Sequence, residues 1–200
     1  MLFSLASTLT TLGVVTQLAS QPAIPAQTAA QPPIDHPLVE VAAVEMDPLA
    51  KAQSQNLPAE VKLNVPFTSQ APYKEWTPPY DEACEEASLA MVEFFLDGRT
   101  FTPDIASAEI KYLVALEDRY GWPVDISTLQ VARLASETYR RKYYRYTGAD
   151  VSITNIKKLL AAGYPIIIPA AGRELQNPNF QGDGPPYHML VLTGYNQENF

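Results

Sequence analysis

Apolar residues recur at helical spacing from about Glu82 onward. Ala87, Leu89, Ala90, Val92, Phe94 and Phe95 fall broadly on the inner side of a predicted helix from Glu82 to Leu96, which Asp97-Gly98-Arg99 ends. Thr102-Pro103-Asp104 reads as the next helix start, a capping hydroxyl followed by proline at the first helical position. Ile110, Leu113, Val114 and Leu116 supply its stripe, and Gly121 closes it. Ser127 caps a third helix through about Thr138, and Tyr139 to Tyr146 alternates enough to predict a strand. Ser152 or Thr154 opens a fourth helix, Ile156 to Ala162, closed by Gly163. Ile166-Ile167-Ile168 predicts a buried strand from its β-branched run, and His188 to Tyr195 predicts the last strand before a turn at Asn196-Gln197-Glu198-Asn199. A long polar loop, Gly172 to Pro186, lies between those two strands. Ahead of the first helix, Leu63 to Phe67 carries a short strand pattern that Pro66 confines to an edge or an end. Helices in the first half and strands in the second make an α+β fold, not the regular alternation of a parallel sheet.

The first fifty residues break this pattern. They hold no Lys or Arg and no aromatic residue except Phe3. Leu2 to Val15 is apolar with Ser and Thr mixed in, and Leu18-Ala19-Ser20 comes next, as in the apolar region and cleavage site of a secretory signal. The usual basic start is missing, yet export is the expectation. The division is a signal-like segment over 1–20, a Pro/Ala/Gln-rich extended linker over 21–60, and a folded domain over 61–200. His36, between Asp35 and Pro37 in the linker, reads as a solvated side chain.

Charge narrows the function. Fourteen Lys and Arg against 22 Asp and Glu leave a net charge of −8, the opposite of what a nucleic-acid binder needs to displace counterions. The run Arg140-Arg141-Lys142-Tyr143-Tyr144-Arg145 interleaves basic and aromatic residues, but in so acidic a chain it reads as a solvated helix end. A single cysteine excludes a disulfide framework and a Cys-rich zinc module, and two histidines argue against a multi-histidine metal site. No phosphate-cradling glycine motif is present, so neither a metal nor an organic cofactor is implied.

What remains is one cysteine and one domain histidine. Cys84 falls at the predicted start of the first helix, where unpaired N–H groups and the helix dipole favour a thiolate. His188 opens a strand just after the long loop, where a side chain can face a cleft. Such a pair suits nucleophilic catalysis, because a thiol needs a base to lose its proton and an acid to protonate the leaving amine. The competing reading is an inert buried cysteine. Asp81, Glu82, Glu85 and Glu86 around it would raise a thiol pKa, although acids are ordinary in a first helical turn. Pattern alone leaves both readings open.

The stretch Leu63-Asn64-Val65-Pro66-Phe67-Thr68-Ser69-Gln70, then Trp76, then Asp81-Glu82-Ala83-Cys84-Glu85-Glu86-Ala87-Ser88-Leu89-Ala90-Met91 resembles the start of the double-glycine leader peptidase-like cysteine peptidases. These are papain-like enzymes, also called the peptidase C-thirty-nine-like domain. Ala161-Ala162-Gly163-Tyr164-Pro165-Ile166-Ile167-Ile168 and His188-Met189-Leu190-Val191-Leu192-Thr193-Gly194-Tyr195 resemble the second half. The resemblance implies a papain-like fold over roughly Val61 to Phe200 and hydrolysis of peptide bonds. Cys84 would be the nucleophile and His188 the general base and acid. Gln70 would be the oxyanion donor, joined by the backbone N–H of Cys84. Trp76 and Tyr187 are the candidate substrate-binding residues, and the loop ending at Tyr187 reads as a lid or as plain surface.

Two departures stand out. Glu85 occupies the position after the cysteine, where many relatives have Gly. The family's third residue, an Asp or Asn that orients the histidine, falls beyond Phe200, so the domain is expected to be truncated; Asn196 and Asn199 are not expected to replace it. Peptide or protein is the expected partner. The alternatives are a catalytically inactive papain-like module that binds peptide or cell-wall material, and an amide-bond transferase on the same scaffold.

Overall fold

The computed structural model describes residues 47–53, 56–180 and 182–200. The signal-like segment and most of the linker, His36 included, lie outside the described residues. Among the described residues no helix is long and apolar enough to cross a membrane.

Among the described residues there are five α-helices and four short strands: α1 (Pro48–Ala52), β1 (Val61–Lys62), α2 (Cys84–Leu96), α3 (Pro103–Tyr120), α4 (Thr128–Tyr139), α5 (Ile153–Ala161), β2 (Ile166–Ala170), β3 (His188–Leu192) and β4 (Gly194–Tyr195). This is a mixed helix-and-strand architecture, with two separate antiparallel strand pairs among the described residues. In the first pair Ile166 lies opposite Leu192 and Ala170 opposite His188; in the second, Val61 lies opposite Tyr195.

The helix ends obey their capping chemistry. Thr102 Oγ1 accepts from the Ile105 N–H at 3.3 Å with Pro103 behind it, and Gly121 ends α3 at φ 66°. Ser127 and Gln130 form a reciprocal capping box at α4, and Ser152, not Thr154, caps α5. The central helix is α2. Leu89, Ala90 and Phe94 on it are fully buried, and it packs against α3, α4 and β3. One apolar cluster joins Leu89, Leu113, Ile126, Leu134 and Met189 around Cys84. A second joins Ala71, Tyr80, Ala87 and Ile110.

Five local expectations need correction. The predicted strand over Tyr139 to Tyr146 is not one. Tyr139 is the buried last residue of α4, Arg140 turns the chain at φ 59°, and side-chain contacts hold residues 141–146 in place of a ladder. Arg141 pairs with Glu93 and Asp97, and the Tyr143 hydroxyl donates to Glu93 at 2.6 Å. The early strand sits at Val61–Lys62, before the Leu63–Phe67 run, because Gly194 lets β4 approach there; Phe67 is 80% exposed. The last strand breaks at Thr193, whose carbonyl accepts the Leu63 N–H at 2.7 Å. Ile166, Ile167 and Ile168 are half-buried, since among the described residues β2 has a strand partner on one side alone. The end of the linker is also folded: Asp47 caps α1, and Leu49 and Ala52 are buried, with α1 packed on α5.

A methyl group added at Gly194 would lie 2.1 Å from the Val61 carbonyl oxygen, inside van der Waals contact with rigid backbone. Gly194→Ala is therefore expected to destabilise the chain by about 2 kcal/mol. Urea unfolding checks it, and an unchanged midpoint would contradict the close β1–β4 pairing.

Candidate active site

The chain reaches Cys84 through a tight approach. A short 3-10 turn, Tyr80–Glu82, precedes α2, and Tyr80 is anchored by its hydroxyl 2.6 Å from Ser107 Oγ. The Gln70 side-chain amide donates to the carbonyls of Tyr80 and Asp81, each at 3.0 Å. Both of its N–H groups are thus committed to the turn that presents the cysteine. Ala83, at the N-cap of α2, offers no capping side chain. In its place, the carboxyls of Glu85 and Glu86 fold back onto their own backbone N–H groups, at the positive end of the helix dipole.

Cys84 is buried, and its sulfur has two polar neighbours. Its S–H donates to Glu85 Oε2 at 3.0 Å, and its sulfur accepts the Met189 N–H at 3.2 Å. The second contact ties the start of α2 to the start of β3. Met189 enters the core beside Cys84. His188, one position earlier on the strand, sends its side chain to the other face. There the ring stands edge-on to Phe180 with centroids 5.3 Å apart, half-buried. The long loop closes on this histidine: a Cβ at Gly172 would meet the Pro185 carbonyl at 2.5 Å and His188 Cβ at 3.3 Å. The thiol and the imidazole are therefore backbone neighbours that share no hydrogen bond.

Tyr187 packs against the cluster that holds Cys84, and its hydroxyl reaches the Glu85 carboxyl. Trp76 is 48% exposed in the loop before the 3-10 turn. So Cys84, Glu85, Tyr187 and the backbone of His188 and Met189 come together, Gln70 supports them from behind, and Trp76 stands apart.

Electrostatics keep the thiol neutral. Burial pushes the Cys84 pKa up, and the Glu85 charge and hydrogen bond push it further; the Met189 amide pulls weakly the other way. Burial lowers the His188 pKa, favouring neutral imidazole. Behind Cys84 lies a cluster of acids that sequence reasoning did not assemble. Glu85, Glu86 and Glu117 are all buried, and each keeps one carboxyl oxygen without a partner. Burial raises the pKa of both Glu86 and Glu117, and the neighbouring Glu86 charge, with the hydrogen bond Glu117 gives to Glu86, pushes Glu117 higher. The signal for this cluster was present. Glu109, Leu113 and Glu117 share one face of α3 at intervals of four, and Glu86, Ala90 and Glu93 share one face of α2, so acids stood in apolar stripes.

Compared with known proteins, residues 62–200 match the sequence model of the Peptidase_C39 like family. No curated protein and no solved structure matches the chain.

The buried acids predict a pH dependence with a definite sign. A carboxyl whose pKa is raised by folding keeps a proton that the unfolded chain releases near pH 4.3, so its stabilisation is full below that value and is lost as pH climbs through the folded pKa. For Glu86 and Glu93 that loss fades over about one pH unit above 7, whereas for Glu117 it continues to about 10. The lowered His188 pKa acts oppositely, but below its unfolded value of 6.5. Between pH 7 and 8.5 the Glu117 proton therefore dominates, at about 1.4 kcal/mol per pH unit. Chemical unfolding across that window should show stability falling in the native chain and falling markedly less in Glu117→Gln, most clearly above pH 8. A level native profile would mean that Glu117 is ionised.

Proposed function

Since the chain belongs to the Peptidase_C39 like family of papain-like cysteine peptidases, we propose that it hydrolyses peptide bonds on a papain-like scaffold, with Cys84 as nucleophile and His188 as base and acid. The observation that carries this reading is the 3.2 Å bond from the Met189 amide to the Cys84 sulfur, which sets the domain's sole histidine one residue from its sole cysteine across 104 positions of sequence.

In this reading the resting thiol leaves Glu85 and turns toward His188. The imidazole takes the S–H proton, and the thiolate attacks the substrate carbonyl carbon. The Cys84 backbone N–H stabilises the oxyanion, joined by the Gln70 amide once one of its bonds to the 3-10 turn is released. The imidazolium then protonates the departing amine, leaving a thioester that water hydrolyses with His188 acting as base again. Tyr187, beside Glu85, would face the substrate, and Trp76 would meet it farther out. Export of the chain belongs to the same proposal, as a place to meet peptide substrates outside the cell.

A second reading has its own support. The buried thiol, the absent Cys84–His188 bond and the fully engaged Gln70 amide all suit an inactive module that binds peptide without cutting it.

Peptide hydrolysis by the full chain, read beside capture of Cys84 by a peptide carrying an electrophilic warhead, separates the two. The peptidase reading expects turnover that vanishes in Cys84→Ala, falls at least a thousandfold in His188→Ala, and falls about a hundredfold in Gln70→Ala. Peptide binding with neither turnover nor capture would establish the inactive module.

A further inference from the structure

The Glu85 carboxyl lies between the sulfur of Cys84, whose S–H it accepts at 3.0 Å, and the hydroxyl of Tyr187, the half-buried residue just before His188. Its other oxygen, Oε1, has no hydrogen-bond partner, and the residue is only 1% exposed. The charges that act on this carboxyl and its neighbours are negative. Asp125, exposed just ahead of Ile126, acts on Glu85, Glu86 and Tyr187, and Glu85 acts on Glu86. Asp81 and Glu82 are exposed on the turn that leads into Cys84. Among the described residues the ion pairs lie elsewhere, at Glu137 and at Glu93 with Asp97. Turning the thiol toward His188 sharpens this imbalance. Glu85 then loses the S–H and is left a buried carboxylate with the Tyr187 hydroxyl and its own backbone N–H as donors. A buried charge short of donors is costly, and a cation is the partner that restores both the donor and the charge balance.

We propose that Glu85, with Asp125 adding to its field, is a cation-recognising subsite beside Cys84, and that the chain acts on peptides carrying a lysine or arginine next to the bond attacked. The inference rests on the catalytic reading for what is done to the peptide, but not for the subsite itself. The exposed acids draw a basic segment toward the start of α2. Its ammonium or guanidinium donates to the Glu85 carboxyl as the S–H leaves, so seating of the substrate and release of the thiol are one event. The same cation offsets the negative charge that holds the thiol proton in place. A neutral side chain at this position leaves Glu85 unpaired, and an acidic one adds a like charge. Glu85 is thus a specificity-determining residue.

The chain's sole cysteine serves as the probe. The native full chain is labelled at one alkaline pH with 2-(trimethylammonium)ethyl methanethiosulfonate and, separately, with 2-sulfonatoethyl methanethiosulfonate. Each rate is divided by that of the same reagent on free 2-mercaptoethanol. The ratio is expected to favour the cationic reagent by about tenfold. It should fall to about twofold in Glu85→Gln, and by roughly half in Asp125→Asn, an exposed position where folding is not at risk. A native ratio under about twofold, a ratio unchanged in both variants, or a thiol that neither reagent reaches before denaturation would overturn the proposal. A second arm compares two peptides that differ in carrying lysine or norleucine beside the scissile bond, with kcat/KM expected to be about tenfold higher for lysine. Equal cutting of the two overturns this inference and leaves the catalytic reading intact. Cutting of neither, with the labelling preference present, defeats the catalytic reading and supports the cation subsite.

Discussion

The sulfur of Cys84 sits between the Met189 amide and the Glu85 carboxyl, and that placement determines the rest of the site. The amide contact joins the first residue of α2 to β3, elements 105 positions apart in the chain. It brings Met189 into the core and sends His188 to the opposite face, against Phe180. The carboxyl contact holds the thiol proton. Reactivity at Cys84 therefore depends on a proton that the fold keeps in place, and the catalytic reading requires that proton to pass to an imidazole now facing elsewhere.

Burial of Glu85 and Glu86 is the cost of starting α2 inside the protein without a capping side chain. Two features offset it. Their carboxyls accept their own backbone N–H groups at the positive end of the helix, and Glu117 of α3 arrives protonated to donate to Glu86. A protonated carboxyl is far cheaper to bury than a charge. The carboxyl oxygens left without partners mark where this compensation stops. The same acids raise the thiol pKa, so one arrangement both starts the central helix and keeps its first side chain neutral.

Much of the scaffold was legible because it rests on local chemistry. Thr102 with Pro103, Ser127 with Gln130, and Gly121 each act within a turn of the chain, and their helices lie where the pattern puts them. The strand expected over Tyr139 to Tyr146 failed because alternation does not reveal what a side chain will bind; Glu93 and Asp97 of α2 capture Arg141. The position of Cys84 at a helix start could be read from sequence, but the partner of its proton could not. Choosing Glu85 over His188 depends on the register that lays Met189 against the sulfur. Gln70 likewise lies beside Cys84, yet only the folded turn shows where its two donors go.

The most direct test of the central claim is the pH profile of Cys84 alkylation in the native full chain, beside Glu85→Gln and His188→Ala. If Glu85 holds the thiol proton, the native sulfur reacts only above the free-thiol value of about 8.5. Glu85→Gln should then move the profile down, and His188→Ala should leave it unmoved. A native profile well below 8.5 that relaxes upward in His188→Ala would reveal a thiolate–imidazolium pair already formed at rest, and would contradict the account.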